Sequence, residues 1–298
     1  MKDLQKIINQ HIENGLYPGV EWKINHKRNI FQGKSGYLNL ANKQAIVSNT
    51  IYRIWSMTKP IISLVILQLI AENKMQLDNL ITDYLPQFEN LKVLRNKDSD
   101  ISDVVDIVRM PTVKDLLSHT AGFTYNFLGD PVGREYDHVK LFQSEVTTLE
   151  DEINILSTLP LLCQPSTKWI YSVSVDVLAR IIEVVTKNNL QSELKKRIFD
   201  PLEMINTSFS VPQHSHERLM SSYTYNLQEK RLIAPGNQGI EILGYPLNIP
   251  SYARGGHGLY STLDDYLNFA NMLLTGKSRS GKIILSEKIL KLATMNHL

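Results

Sequence analysis

Apolar positions along this chain recur mostly at helical spacing. The opening segment, MKDLQKIINQHIENGLYPG, sets Leu4, Ile7, Ile8 and Ile12 on one side and predicts an amphipathic helix. GVEWKINHKRNIFQGKSGYLN then alternates about NHKRN and predicts a hairpin over 20–25 and 29–37. IYRIWSMTKPIISLVILQLI, residues 51–70, is apolar on nearly all sides after Ser56, the pattern of a buried helix. Residues 92–111 are polar and read as a loop, and residues 123–146 as irregular chain. In PTVKDLLSHTAG, Thr112 and Asp115 form a capping box and Gly122 lies beyond the helix end. Thr148 and Asp151 form a second box before a helix that stops at Pro160. SVDVLARIIEVVTKNN carries Val177, Leu178, Ile181, Ile182 and Val185 at helical spacing, and LQSELKKRIF is a further amphipathic helix. Residues 210–250 are loop-rich with short strand-like pieces. STLDDYLNFANMLLTGK is capped by Thr262 with Asp265 and closes at Gly276, and SEKILKLATMNHL is a last helical stretch. Many helices and a single clear hairpin result, and a lone hairpin needs further strands or a covering helix.

Composition narrows the class. A length of 298 residues suits one large domain or two intimate lobes and buries a core without disulfides. The net charge of +2 gives no argument for nucleic acid or an anionic membrane surface. Cys163 is the only cysteine, so no internal disulfide forms, and it reads as a small apolar filler. No H-E-x-x-H spacing occurs and the histidines are scattered, so no metal or organic cofactor is implied. The N-terminal helix lacks the apolar core of a signal peptide. The run Ile61–Ile70 is about half of what a bilayer span requires. These features predict a cytoplasmic protein with no membrane span. Nothing in the pattern sets an oligomeric state.

The candidate chemistry stands at the start of the buried helix. Ser56 and Lys59 are three residues apart, hence neighbours on one helical face. A hydroxyl is a poor nucleophile until a base takes its proton. A lysine one turn on serves as that base if its burial favours the neutral amine. The helix N-terminus adds backbone N–H groups and positive potential for a developing oxyanion. By spacing alone the motif is weak, because Ser192 and Lys195 repeat it on a helix whose apolar stripe, Leu190, Leu194 and Ile198, leaves Ser192 on a wet face.

The surrounding text is more specific. NTIYRIWSMTKPIISLVILQLIAENKMQLDNLITDYLPQF, TVKDLLSHTAGFTY, LPLLCQPSTKWIYSVSVDVLARIIEVV, RIFDPLEMINTSF and GGHGLYSTLDDYLNFANMLLTGK together resemble the serine hydrolase family of class C β-lactamases, D-Ala-D-Ala peptidases and family VIII esterases. The resemblance follows the family's order over essentially the whole chain and is nearest to the esterase-like branch. It implies an α/β (α+β) fold of the β-lactamase/transpeptidase type, a helical lobe on an antiparallel-sheet α/β lobe. Within a single domain over 1–298 it divides the chain into residues 1–55 (N-terminal helix and hairpin), 56–260 (serine helix and helical lobe) and 261–298 (C-terminal helices). It implies Ser56 as the acylated nucleophile, Lys59 as its proton acceptor, and Tyr171 of WIYSV as the tyrosine that relays a proton with the lysine. Tyr125, Gly256 and His257 are the implied substrate-binding residues, although a surface-loop position is the plainer reading of His257. His119 is implied to bond backbone at a helix end, and Trp55 and Trp169 read as core. The implied activity is hydrolysis of a small-molecule ester, or of an amide as in the peptidases and lactamases, through an acyl-Ser56 intermediate. A non-catalytic relative that keeps only the pocket is the alternative.

Three departures from the family pattern stand out. Val173 occupies the place of the lactamase Y-x-N asparagine, and valine cannot bond a lactam side-chain amide, which favours ester substrates. Ser166 and Glu203 replace glycines of P-G-x-x-W and P-L-G-M, so a positive φ at either would add strain. The family's third motif, K-T-G, H-x-G or W-G-G, lies beyond the last segment matched, and the chain ends at LATMNHL. The resemblance therefore implies a C-terminally truncated chain, short of sheet strands and of a wall of the site, weak as an enzyme and in stability.

Overall fold

The computed structural model of the chain describes residues 2–298 apart from 28, 142–147, 237–238, 241–246, 248–249 and 251. Part of the expected irregular stretch (142–146) and part of the expected loop region (237–238, 241–246, 248–249) lie outside the described residues. In chain order the elements are α1 (Lys2–Glu13), β1 (Gly19–His26), β2 (Asn29–Asn39), β3 (Gln44–Ala45), β4 (Ile51–Arg53), α2 (Thr58–Ala71), β5 (Lys92–Leu94), β6 (Val104–Asp106), α3 (Val113–Leu117), α4 (Pro131–His138), α5 (Leu149–Ser157), α6 (Ser174–Thr186), α7 (Leu190–Leu194), β7 (Thr224–Asn226), β8 (Arg231–Ile233), β9 (Tyr260–Thr262), α8 (Leu263–Thr275) and α9 (Glu287–Thr294). They fall into two compact units. The first comprises Met1–Ile54, Glu203–Pro250 and Leu259–Ala270; the second comprises Trp55–Leu202, Ser251–Gly258 and Asn271–Leu298. The second unit begins at Trp55, and residues 203–250 and 259–260 group with the N-terminal unit rather than with the serine helix.

In the first unit the hairpin forms as its alternation predicts, with β1 and β2 antiparallel from Gly19 opposite Gly36 to His26 opposite Asn29. Gly36 is required there: its φ is +81° and a Cβ would lie 2.5 Å from the Pro18 carbonyl oxygen. β3 adds to the other edge of β2. β4 and β9 pair separately, and Ile51, Val211, Leu219 and Tyr260 form a buried cluster about them. Asp265, at the start of α8, is a buried carboxylate that accepts from the Asn206 backbone N–H at 2.7 Å and the Thr207 hydroxyl at 2.9 Å. These bonds fix residues 206–207 to the helix start. β7 and β8 form a short hairpin within the stretch read as loop-rich.

The second unit is built around α2 and α6. Ile61, Ile62, Leu64, Val65 and Ile66 of α2 are almost fully buried, as are Val177, Leu178, Ile181 and Ile182 of α6. That burial is the main driving force of the unit, roughly 1.5–3 kcal/mol per large apolar side chain. Both capping residues act as the sequence predicts. Thr112 accepts from the Asp115 N–H while the Asp115 carboxylate accepts from the Thr112 N–H at 2.8 Å. Thr148 accepts from the Asp151 N–H at 3.0 Å. Arg109 also clamps Asp115 through two hydrogen bonds of 2.7 and 2.9 Å, and this holds the Asp115 carboxyl below its usual range against the cost of burial.

The structure corrects two readings and bears out a third. Residues 92–111 are not loop throughout: β5 and β6 pair there, with Val93 and Leu94 buried, in strands too short to show alternation. Trp55 and Trp169 are not core, being 47% and 56% exposed. Ser166 and Glu203 do stand at positive φ, 65° and 57°, so each carries the strain that a family glycine avoids.

Candidate active site

Ser56 sits in a tight turn, Trp55–Met57, that runs straight into α2. The turn is entered through Trp55 at φ 47°, an unfavourable backbone for a tryptophan. It is fastened by the Thr58 hydroxyl, which donates to the Trp55 carbonyl at 2.7 Å. This arrangement leaves Ser56 exposed while Thr58 and Lys59, two and three residues on, are buried. Lys59 is 7% exposed, and its Nζ lies 3.2 Å from Ser56 Oγ. The same amine donates to the Gly256 carbonyl oxygen at 2.7 Å. It also lies over the ring faces of Tyr171, 4.6 Å from the centroid, and Tyr125, 5.1 Å from the centroid. A lysine amine held by one carbonyl and two ring faces has few other places to point.

The sequence candidates therefore come together, with differences in detail. Ser56, Lys59, Tyr171, Tyr125 and Gly256 meet around one amine. Tyr171 presents its ring to Lys59, and among the described residues its hydroxyl makes no hydrogen bond. Gly256 contributes its backbone carbonyl. Its own N–H donates to Asp176 Oδ1 of α6 at 2.8 Å. A Cβ at residue 256 would stand 2.5 Å from both Asp176 Oδ2 and the Tyr125 hydroxyl, so a side chain there would displace one or both.

A family model described as beta-lactamase matches residues 4–295. The chain belongs to the beta-lactamase family. Its members are serine hydrolases. Protein Rv1367c of Mycobacterium tuberculosis is 28% identical over 297 residues, 99% of this chain and 71% of that protein. Esterase EstB of Burkholderia gladioli is 26% identical over 273 residues, 86% of this chain and 65% of the esterase. Among solved structures, EstCE1, described as a hydrolase with promiscuous acyltransferase activity, superposes with a TM-score of 0.80 at 27% identity, covering 98% of this chain and 75% of EstCE1. The fold is thus the β-lactamase/transpeptidase-like one, with mixed helix and sheet.

Within this beta-lactamase fold, Asp176 is the residue that sequence reasoning missed. It lies among Val175, Val177 and Leu178 on a helix whose neighbouring positions are all buried. A carboxylate in that setting was the available signal, since buried charges need a partner. A second buried carboxylate, Glu152 of α5, lies 3.5 Å from Arg254, and Arg254 also donates to the Tyr252 hydroxyl at 2.9 Å. The segment 252–256 is thereby tied to α5 through Glu152 and to α6 through Asp176. The chain of contacts Asp176–Gly256–Lys59–Ser56 runs from a helix interior to the exposed hydroxyl.

Two imidazoles flank the amine. His119 Nδ1 accepts from the Ser172 N–H at 3.2 Å, the expected bond to backbone, and its ring lies 5.1 Å from Tyr171. His257 is half-buried. Burial lowers the pKa of each from 6.5 to about 4; Lys59 pushes the same way on both, while Asp176 opposes the fall at His257. Both are therefore neutral at pH 7. Burial and the adjacent Asp176 push the Tyr125 hydroxyl well above its ordinary value, so it remains a phenol and a donor. Among the described residues, no group of His, Cys, Asp or Glu could hold a metal ion, and no helix is long and apolar enough to cross a membrane.

Proposed function

We propose that the protein hydrolyses carboxylic esters through an acyl-Ser56 intermediate. The observation that carries this reading is the 3.2 Å approach of a buried Lys59 amine to an exposed Ser56 hydroxyl. In its neutral form the amine has two N–H bonds and one lone pair. One N–H goes to the Gly256 carbonyl, and in the neutral amine the lone pair is available to take the Ser56 proton. Ser56 Oγ attacks the ester carbonyl carbon as its proton passes to Lys59 Nζ. The C–O bond to the alcohol then breaks, and the leaving oxygen takes up that proton. Tyr171, with its ring against the amine and its hydroxyl unbonded, is the group for this transfer. Water then attacks the acyl carbon, its proton passing through the same groups, and Ser56 is restored.

Esters are favoured over β-lactams because Val173 is fully buried and apolar at the start of α6. It offers no amide to a lactam side chain. The named esterase EstB and the hydrolase EstCE1 are consistent with this substrate class. The test compares kcat/KM for a short p-nitrophenyl ester and a chromogenic cephalosporin. The ester should be the faster substrate. A faster cephalosporin would assign the protein to lactam chemistry, and turnover of neither by folded protein would make it a binding protein.

A further inference from the structure

Five rings follow one another across the second unit, and the row begins and ends in solvent. Phe127 stacks on Tyr125 with centroids 4.9 Å apart and planes 20° apart. Tyr125 lies 5.5 Å from Tyr171. Tyr171 lies 5.1 Å from the His119 imidazole and 6.4 Å from Trp169, and His119 and Trp169 are 6.2 Å apart, edge to face. Lys59 lies over the second and third rings, Tyr125 and Tyr171, which joins the row to Ser56. Packing accounts for the middle of the row, where Tyr125 is buried and Tyr171 and His119 are half-buried. It does not account for the ends: Phe127 is 67% exposed and Trp169 56% exposed.

The exposed ends are held rather than loose. Phe127 sits in the tight turn Asn126–Leu128, which closes on Gly129 at φ 75°. The Asn126 side-chain amide donates to Asp137 of α4 at 2.6 Å. Asp130, next after Gly129, caps α4 by accepting from the Gly133 N–H at 2.9 Å. On the other side, the Ile170 N–H donates to the His119 carbonyl at 2.9 Å and fixes the chain next to Trp169. Aromatic faces displayed in fixed positions at the two ends of a row whose inner rings contact Lys59 are a surface for a flat or extended apolar group. Asp176 Oδ1 accepts from the Gly256 N–H, and Glu152 is ion-paired with Arg254 at 3.5 Å.

We infer that the Phe127–Tyr125–Tyr171–His119–Trp169 row is the substrate-binding wall, and that the substrate is an uncharged ester carrying an aryl or long apolar group. Phe127 and Trp169 set that preference. The inference rests on the reading of Ser56 as nucleophile, and its test keeps the two apart. The p-nitrophenyl esters of acetate, octanoate and phenylacetate vary the acyl side; methyl and benzyl acetate vary the alcohol side. The native protein should prefer the larger member of at least one series. Phe127→Ala and Trp169→Ala remove exposed rings, so the thermal midpoint should not move. At least one of them should lower kcat/KM for the favoured large ester by about 10-fold more than for the acetate, the scale expected for lost apolar contact. A loss spread equally over all esters would mark a structural role and overturn the inference. So would native rates that are flat across both series, or variants that match the native protein. Hydrolysis that persists in Ser56→Ala would remove the underlying reading and this inference with it. Ser56-dependent hydrolysis with flat series would remove this inference alone.

Discussion

The chain carries the same S-x-x-K spacing twice within one structural unit, and the two copies differ in everything but spacing. Ser56 stands in a strained turn before α2, with Lys59 buried against a carbonyl and two aromatic faces. Ser192 lies exposed in α7, its N–H donating to the cap residue Asn189 at 2.9 Å. Its partner in the motif, Lys195, is 67% exposed and is paired with Asp200 rather than with Ser192. Such an exposed pair contributes little to stability and does nothing to direct a proton. On the proposed reading, what fixes the lysine, not the spacing of the two residues, turns the motif into chemistry.

The strongest way to break this comparison is to remove each lysine in turn. Lys59→Met should lower ester hydrolysis by about 10²–10⁴, the usual contribution of a positioned acid–base group. Lys195→Met should leave the rate within about twofold, since a surface ion pair is all that is lost. Equal effects of the two substitutions on kcat would refute the distinction drawn between the copies.

A smaller effect is expected one step back from the amine, at a residue for which the Ser192 copy has no counterpart. Asp176→Leu removes the acceptor that holds Gly256, and its carbonyl then holds Lys59 less firmly. The expected loss in kcat is about 10–100-fold, in the range that small misplacement of a catalytic group costs. Asp176→Asn keeps an oxygen acceptor for the Gly256 N–H and should recover most of that loss. If the asparagine and leucine variants are equally impaired per folded molecule, the Gly256 bond is not what positions Lys59.

The smallest effect concerns acid stability. His119 and His257 keep pKa values of about 4 in the folded protein, against 6.5 for an ordinary imidazole. Between these values the unfolded chain binds more protons than the folded one. The stability linked to these groups is therefore present above pH 6.5 and lost as pH falls toward 4. The thermal midpoint should drop between pH 7 and pH 4.5, and His257→Gln should shrink that drop. A midpoint unchanged over this interval, or an identical drop in the variant, would contradict the assigned environments.

Local signals carried most of the helical architecture. Thr112 with Asp115, and Thr148 with Asp151, mark helix starts because capping involves residues three apart. The long hairpin was legible because alternation persists over the eight residues of β1. β4, β5, β6 and β9 were not, since each has three residues, too few to show alternation, and β7 and β8 fall among the short strand-like pieces expected in 210–250. The same limit applies at the site. Ser56, Lys59 and Tyr171 are readable from the motif text, whereas Asp176 and Glu152 act through a segment 80 or more residues away in sequence, as the Asp176–Gly256 bond shows. Trp55 and Trp169 were misread because a large aromatic residue in an apolar context signals burial. Both instead stand exposed, Trp55 next to Ser56 in the chain and Trp169 beside Tyr171.

The central claim is that burial and fixation of Lys59 make Ser56, and not Ser192, the reactive hydroxyl. It is tested most directly by treating the folded protein with a fluorophosphonate and locating the adduct by mass spectrometry. The account predicts one modified residue, Ser56, with labelling lost in Ser56→Ala and unchanged in Ser192→Ala. Labelling that persists in Ser56→Ala, or an adduct found on Ser192, would contradict it.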